Sequence, residues 1–219
     1  MAARILPFGD AAILVELEPL ASVDAARRAR ALAEAIRAAP TSPSGLGTPV
    51  PGAASVLVPF DPTEVRAEQV EAMLQRVLAA GIPEPAPSAA TAVHRIPVRY
   101  GGDDGPDLDA VAADLGLRPR DVVDLHIGVE VEVLFLGFAP GFAYLGELSP
   151  RLRVPRRATP RVRVPAGSVA VAGSMTAVYP QASPGGWRII GRTDAKLFDP
   201  LADPPARLRP GDRVRFERA

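Results

Sequence analysis

The chain has 219 residues, of which 47% are hydrophobic and 23% charged, enough apolar material for one large or two small cores and too much for a disordered chain. Its 25 basic and 25 acidic residues cancel, so no global field draws it to nucleic acid or to a membrane surface. It contains no cysteine, which excludes a disulfide, a thiol nucleophile and a thiolate-bound metal.

In chain order, residues 1–8 carry one arginine and no long apolar stretch, so no secretory signal is expected. No later run approaches the ~20 apolar residues that span a bilayer, and the chain reads as cytoplasmic. Residues 1–90 read as strand, strand, helix, strand, helix, the order of a small open α/β sandwich. Residues 13–17 are a strand candidate, preceded by a turn at Gly9 and Asp10. A helix follows, with Ser22 or Asp24 near its N-cap, a stripe of Ala25, Ala29, Leu32 and Ile36, and Pro40 as its stop. Residues 41–52 are rich in Pro, Gly and Ser and are expected to form a mobile loop. Residues 55–60 read as a buried strand. Val70, Met73, Leu74, Val77 and Leu78 share the spacing of one helical face, which Gly81 closes. Pro83, Pro85 and Pro87 mark a semi-rigid linker, giving domains at 1–90 and 91–219.

From Thr91 the texture changes to short strands broken by Gly and Pro. Two small helices come first: Leu108, Val111 and Leu115 stripe one, and Pro119 opens another that carries Val122, Leu125 and His126. The pair has the outline of a helix-turn-helix, but the would-be recognition helix carries Asp121 and Asp124 and little basic charge, which argues against DNA binding. Residues 129–133, 161–164 and 212–216 then alternate as strands, so the second domain is expected to be mainly β, a barrel or a sandwich.

The chemistry concentrates after Gly137. From Leu148 to Thr193, 46 residues hold eight arginines, at 151, 153, 156, 157, 161, 163, 188 and 192, and no Asp or Glu, so the rest of the chain carries a net −8. With 24 arginines to one lysine, arginine usage as such is uninformative, but this local excess is a field source. Guanidinium forks suit carboxylate or phosphate oxygens. The alternatives are a solvated face, or pairing with carboxylates of the other domain. Three Gly/Pro-rich loops, at 137–144, 165–168 and 179–187, lie in the same stretch. They suit either a rigid pocket that presents N–H groups and aromatic faces, or barrel-corner turns with Phe138 and Trp187 packed inward. The expectation is that the eight guanidinium groups and these turns share one cleft. His94 and His126 lie too far apart, without a carboxylate motif, to make a metal site. His126 is the candidate for a catalytic role, against the commoner structural hydrogen bond. No nucleophile elbow and no P-loop occurs. The residues expected to line a substrate or anion pocket, or a subunit interface, are Tyr144, Arg156, Arg161, Ser168, Thr176, Tyr179, Trp187 and Arg192.

The block GFAPGFAYLGELSPRLRVPRRATPRVRVPAGSVAVAGSMTAVYPQASPGGWRIIGRT resembles the signature of the 5-oxoprolinase B-subunit family, also called allophanate hydrolase subunit 1 or Kip inhibitor, the smaller half of a carboxyltransferase-type pair. The resemblance extends to PFGDAAILVEL, IPVRYGGDDGPDLDAVAADLGL, LHIG, LFDP and PGDRVRF, nearly the whole chain. It implies an α+β fold, a small α/β N-terminal domain followed by a cyclophilin-like β-barrel. It implies one component, inactive alone, of an ATP-dependent 5-oxoprolinase that turns 5-oxoproline, ATP and water into glutamate, ADP and phosphate. The implied partners are the larger carboxyltransferase-type C subunit and a third component, the A subunit, with ATP used at the level of the complex. Other branches of the same family imply inhibition of a sensor histidine kinase, or an allophanate- or urea-type amide hydrolase or carboxyltransferase. Prolyl isomerase activity would rest on fold analogy alone and is set aside. The chain departs from the family pattern at Gly173–Ala177, where Met175 stands for the usual Gln, and at Val131, where a tyrosine is typical.

Overall fold

The computed structural model describes residues 3–18, 23–40, 42–84 and 93–219. The chain divides into two compact units, Met1–Ala89 and Ala90–Ala219. Ser22, Thr41, Pro85, Pro87 and Thr91 lie outside the described residues.

In the first unit, β1 (Ala3–Pro7), β2 (Ala12–Leu17), β3 (Val50–Pro51) and β4 (Ser55–Pro59) form an antiparallel sheet in the order β1-β2-β4-β3. Alternation sets its buried face: Ile13, Val15, Leu17, Val56 and Val58 share one core with α1 (Val23–Arg37) and α2 (Ala67–Ala79). The predicted stripes are the ones buried, with Ala29, Leu32 and Ile36 on α1 and Val70, Met73 and Leu74 on α2. The start of α2 is closed by the Arg66 N–H, which donates to the Gln69 side chain at 3.1 Å. The loop expected to be mobile is instead paired over its described part. Gly47 N–H donates to the Pro59 carbonyl at 2.8 Å, Asp61 N–H donates to the Gly45 carbonyl at 2.8 Å, and β3 lies within the segment. Composition signals turns there, but the remaining backbone N–H and C=O groups are free to pair with β4.

In the second unit, β5 (Val93–Tyr100), β6 (Glu130–Leu136), β7 (Ala143–Gly146), β9 (Ser168–Ala172), β10 (Met175–Val178), β12 (Arg188–Arg192) and β13 (Arg213–Arg218) close a barrel in the order β10-β7-β6-β13-β5-β12-β9. β13 and β5 pair in parallel and the other neighbours antiparallel. β8 (Arg161–Val164) and β11 (Ser183–Gly185) form a separate two-stranded ribbon. α3 (Leu108–Leu115) and α4 (Pro119–Ile127) contribute Val111 and Val122 to the core that fills the barrel with Ile96, Val98, Val133, Leu145, Val171, Ile190 and Phe216. The fold is therefore α+β with a cyclophilin-like barrel, as the family resemblance implies, and of the barrel or sandwich that strand alternation left open it is the barrel.

One arc of the wall, β7-β10-β9-β12, is covered on both faces. Leu145, Val178, Val169, Val171 and Ile190 point into the barrel core, while Tyr144, Met175, Ala177, Ala170, Ala172 and Ile189 belong to a second apolar cluster with Phe142, Val164, Tyr179 and Trp187. That is why β9 reads as an unbroken small-apolar run rather than as an alternating strand. Among the described residues no helix is long and apolar enough to cross a membrane. No group of three or more His, Cys, Asp or Glu side chains there is placed to hold a metal ion.

Candidate functional site

The second cluster forms an aromatic nest on the outer wall of the barrel. Alanines 170, 172 and 177 leave room over the strands, and bulky rings fill it. Phe142 is the hub: its ring lies edge-on to Tyr144 at 5.0 Å, to Tyr179 at 5.2 Å and to Trp187 at 6.0 Å. Tyr144 stacks on Phe135 at 4.2 Å and meets Trp187 edge-on at 5.8 Å. Phe138 sits over Phe142 and Tyr179 yet is 60% exposed, and its φ of 67° lies in the left-handed region that a phenylalanine rarely adopts. The turn holds it there: Ala139 N–H donates to the Gly137 carbonyl at 2.8 Å and Gly137 N–H to the Phe142 carbonyl at 3.1 Å. Arg156 lies over the Trp187 ring, 5.9 Å from its centroid, a cation–π contact at the mouth of the nest.

A buried carboxylate outside the arginine-rich block anchors the surrounding turns. Asp107 accepts from Arg157 Nη1 at 2.9 Å, from Arg161 Nη1 and Nη2 at 2.8 Å each, and from the Ile189 backbone N–H at 2.7 Å. The Asp107 N–H in turn donates to the Ile189 carbonyl at 2.9 Å. Burial alone would raise the Asp107 carboxyl, but the Arg161 hydrogen bond, the Ile189 N–H and the charges of Arg161 and Arg157 hold it below the ordinary carboxylate value. Arg157 N–H also donates to the Gly186 carbonyl at 2.7 Å, which ties this network to the turn that carries Trp187.

Burial raises both Tyr144 and Tyr179, against the opposing charge of Arg156, so each phenol stays protonated near neutrality. The Trp187 backbone N–H also bonds Tyr179. Phe142, Tyr179 and Trp187 are buried within the nest, and what it turns outward is the exposed Phe138 ring, part of Tyr144 with its phenol O–H and, in Arg156, a guanidinium with no ion pair among the described residues. It suits a small flat ligand bearing a single negative group. Asp107, the carboxylate of its network, is held by two guanidinium groups and offers no base.

Of the residues singled out in the sequence, the structure brings Tyr144, Arg156, Tyr179 and Trp187 together. Arg161 borders the nest, but its fork is taken by Asp107. Ser168 is buried at the start of β9, and its register partner Arg192 donates to the Ala166 carbonyl at 3.2 Å. Thr176 faces the other side of β10, where its hydroxyl donates to the Ala170 carbonyl at 3.0 Å and meets His126 Nε2 at 2.9 Å. His126 is fully buried, and its Nδ1 meets the Tyr100 hydroxyl at 2.7 Å, so both ring nitrogens are engaged.

The expected convergence of eight cations is corrected. Arg153 pairs with Glu147 at 3.0 Å, Arg188 with Asp114 at 3.1 Å, and Arg157 and Arg161 with Asp107. The counter-charges come from within the same unit, immediately outside the acid-free segment or upstream of it. Asp107 is the residue that sequence reasoning missed. An excess of eight cations demands carboxylates elsewhere, and the acidic run at 103–109 is a dense supply of them.

Gly185 offers a local test of the nest. A Cβ there would sit 2.4 Å from the Tyr179 hydroxyl and 2.9 Å from two of its ring carbons, whereas a Cβ on Gly186 would lie 3.6 Å from its nearest neighbour. Gly185→Ala will destabilise the protein by about 1–3 kcal/mol through overpacking. Gly186→Ala will be close to neutral. Thermal unfolding of the two variants side by side checks this, and equal midpoints would contradict the packing described.

The carboxyltransferase domain, subdomain C and D, matches residues 3–208. The B subunit of 5-oxoprolinase from Escherichia coli O157:H7 is 43% identical over 215 residues, 98% of this chain and 95% of that protein. The crystal structure of TTHA0988 is 42% identical, with a TM-score of 0.78 over 95% of this chain, and this chain spans 39% of that longer one. The Kluyveromyces lactis urea carboxylase structure is 22% identical, with a TM-score of 0.82 over 99% of this chain and 22% of its own, and shares the fold alone. By the match along residues 3–208 and the identity across nearly all of the Escherichia coli protein, the chain belongs to the 5-oxoprolinase B-subunit family of carboxyltransferase domains.

Proposed function

We propose that this chain is the B subunit of an ATP-dependent 5-oxoprolinase, acting with a larger carboxyltransferase-type C subunit and a third component, the A subunit, and inactive alone. The observation that carries the reading is the 43% identity spanning 95% of the Escherichia coli protein. The nest supports it chemically. The substrate is a flat five-membered lactam with one carboxylate, and the nest pairs ring faces with one guanidinium free of carboxylate, Arg156. Arg156, held over the buried Trp187, binds the carboxylate, the exposed Phe138 ring covers the lactam, and the half-buried Tyr144 O–H donates to its carbonyl. A lactam carbonyl is a poor electrophile and its opening is uphill. Phosphorylation of the carbonyl oxygen by ATP, which releases ADP, supplies both activation and driving force; water then adds to the activated carbon, phosphate leaves and the C–N bond breaks to give glutamate. A single free cation does not match a triphosphate, so ATP is not assigned to this face.

The test is co-expression with the partner subunits and assay of ATP-dependent glutamate release from 5-oxoproline. Arg156→Ala will lower kcat/KM by roughly 10- to 100-fold, the loss of one charge-assisted contact. Arg161→Ala will also reduce it, by loosening the Asp107 network, while Arg151→Ala leaves it unchanged. An intact complex with no turnover refutes the reading, and equal effects at all three arginines refute the assignment of the nest.

A further inference from the structure

A cavity of about 650 Å³ in the second unit is lined by His94, Asp212 and ten residues of the segment from Lys196 to Arg209, none of which belongs to the nest. Its size falls within the range of small-molecule sites. Its walls are preformed. Asp199 N–H donates to the Pro205 carbonyl at 2.9 Å, Arg207 N–H donates to the Leu197 carbonyl at 3.0 Å, and Phe198 bridges Ala206, so the segment closes on itself around Pro204 and Pro205.

The carboxylates of this cavity are already engaged by the fold. Asp212 Oδ2 meets His94 Nε2 at 3.1 Å and accepts from the Arg209 N–H at 2.9 Å, and Asp199 Oδ1 accepts from the Leu201 N–H at 3.0 Å. The cations are not: Lys196, Arg207 and Arg209 line it with no carboxylate partner among the described residues. Lys196 is the one lysine among 25 basic residues, so the bias that explains arginine elsewhere does not explain it. Against Asp199 and Asp212, the three cations Lys196, Arg207 and Arg209 leave the lining net positive, and a phosphate group, with more oxygens than a carboxylate, meets a lysine point charge and guanidinium forks at once. Beside them, Phe198, Pro204 and Pro205 give an apolar surface for the body of the ligand.

We propose that this cavity binds an organic phosphate, its phosphate oxygens held by Lys196, Arg207 and Arg209 and its body laid on Phe198, Pro204 and Pro205. The inference goes beyond the reading above and does not depend on it. One wall residue also reaches the turn that carries the nest. Gly141, with φ of 74°, has Phe198 packed where a Cβ would lie, 2.6 Å from the Phe198 Cβ, and its neighbour Phe142 is the hub of the aromatic cluster.

Calorimetric titration of the full chain with ADP, with inorganic phosphate and with glutamate tests the proposal. ADP will bind, phosphate will compete with it, and glutamate will not. The triple variant K196Q/R207Q/R209Q will weaken ADP at least about tenfold, as the loss of several charge-assisted contacts requires. Arg156→Ala will leave ADP affinity unchanged. Absence of ADP binding, an unchanged affinity in the triple variant, loss of binding in Arg156→Ala, or competition by glutamate would each overturn it. Should the triple variant lose its far-ultraviolet circular dichroism, Lys196→Gln alone carries the comparison, with a weakened affinity expected.

Discussion

Asp107→Ala will lower the unfolding free energy by about 3 kcal/mol and cost the assembled complex most of its activity, although Asp107 touches no part of the proposed substrate pocket. The Asp107 side chain is 4% exposed, while Arg157 and Arg161 are 33% and 23% exposed. Removing the carboxylate leaves two half-buried guanidinium groups without a counter-charge and the Ile189 N–H without an acceptor. Partial solvation of the arginines keeps the loss near the low end of the range for broken buried pairs. The functional effect follows from connectivity: Arg157 holds the Gly186 carbonyl, one residue before Trp187, and Arg161 is paired in register with Gly185, which lies against Tyr179.

Asp107→Asn separates charge from shape. The native carboxyl is held below its ordinary value, so the folded state binds its proton less readily than the unfolded chain. Its stabilisation is therefore complete above the ordinary carboxylate pKa of about 4 and fades as pH falls through the lower folded value. Urea unfolding of wild type and Asp107→Asn will show a constant gap from pH 7 to about 5 that narrows below about 4. A gap that persists unchanged into strong acid would show that the carboxylate charge is not what Asp107 contributes.

The fold was legible where one face of an element meets water. α2 announced itself by Val70, Met73 and Leu74, and β13 by buried Val214 and Phe216 alternating with Arg213 and Arg215. It was not legible where both faces are covered, as in β9, or where closure depends on distant pairing, as in the parallel register of Arg213–Arg218 with residues 93–98. The nest was half visible. Tyr144, Tyr179 and Trp187 stand out by the stiff turns around them, and Arg156 by its place in a cationic run. Which arginines are free could not be read, because their partners lie far along the chain: Asp107 is 50 residues from Arg157 and 54 from Arg161. Asp107 also has a sufficient local explanation as the residue that opens α3, which conceals its long-range role. Alternation does predict that Thr176 faces away from Met175 and Ala177, and so away from the nest.

His126 ties helix α4 to the barrel interior, and its titration gives the second large effect. The Thr176 hydroxyl donates its proton to the Ala170 carbonyl, so toward His126 Nε2 it acts only as acceptor. Nε2 therefore carries the ring hydrogen, and Nδ1 accepts from the Tyr100 hydroxyl, which burial keeps protonated. The ring also packs against Phe216, with centroids 4.5 Å apart. A proton added to Nδ1 would stop it accepting from the Tyr100 hydroxyl and place a charge with no carboxylate partner in the core, and burial pushes the His126 pKa down to about 3. In the unfolded chain the same imidazole titrates near 6.5. Between these values the unfolded state holds the additional proton, so stability must fall as pH is lowered through this window, by an amount on the order of a few kcal/mol. His126→Phe keeps a ring but removes the titration and leaves the Tyr100 hydroxyl without its acceptor. It will cost about 1–3 kcal/mol at pH 8. Its stability will then be flatter than that of wild type between about pH 6.5 and 4, so the deficit will shrink on acidification. Urea unfolding of both proteins at pH 8 and pH 5 measures it, and a deficit that stays constant or widens would mean that His126 is not held neutral in the folded core.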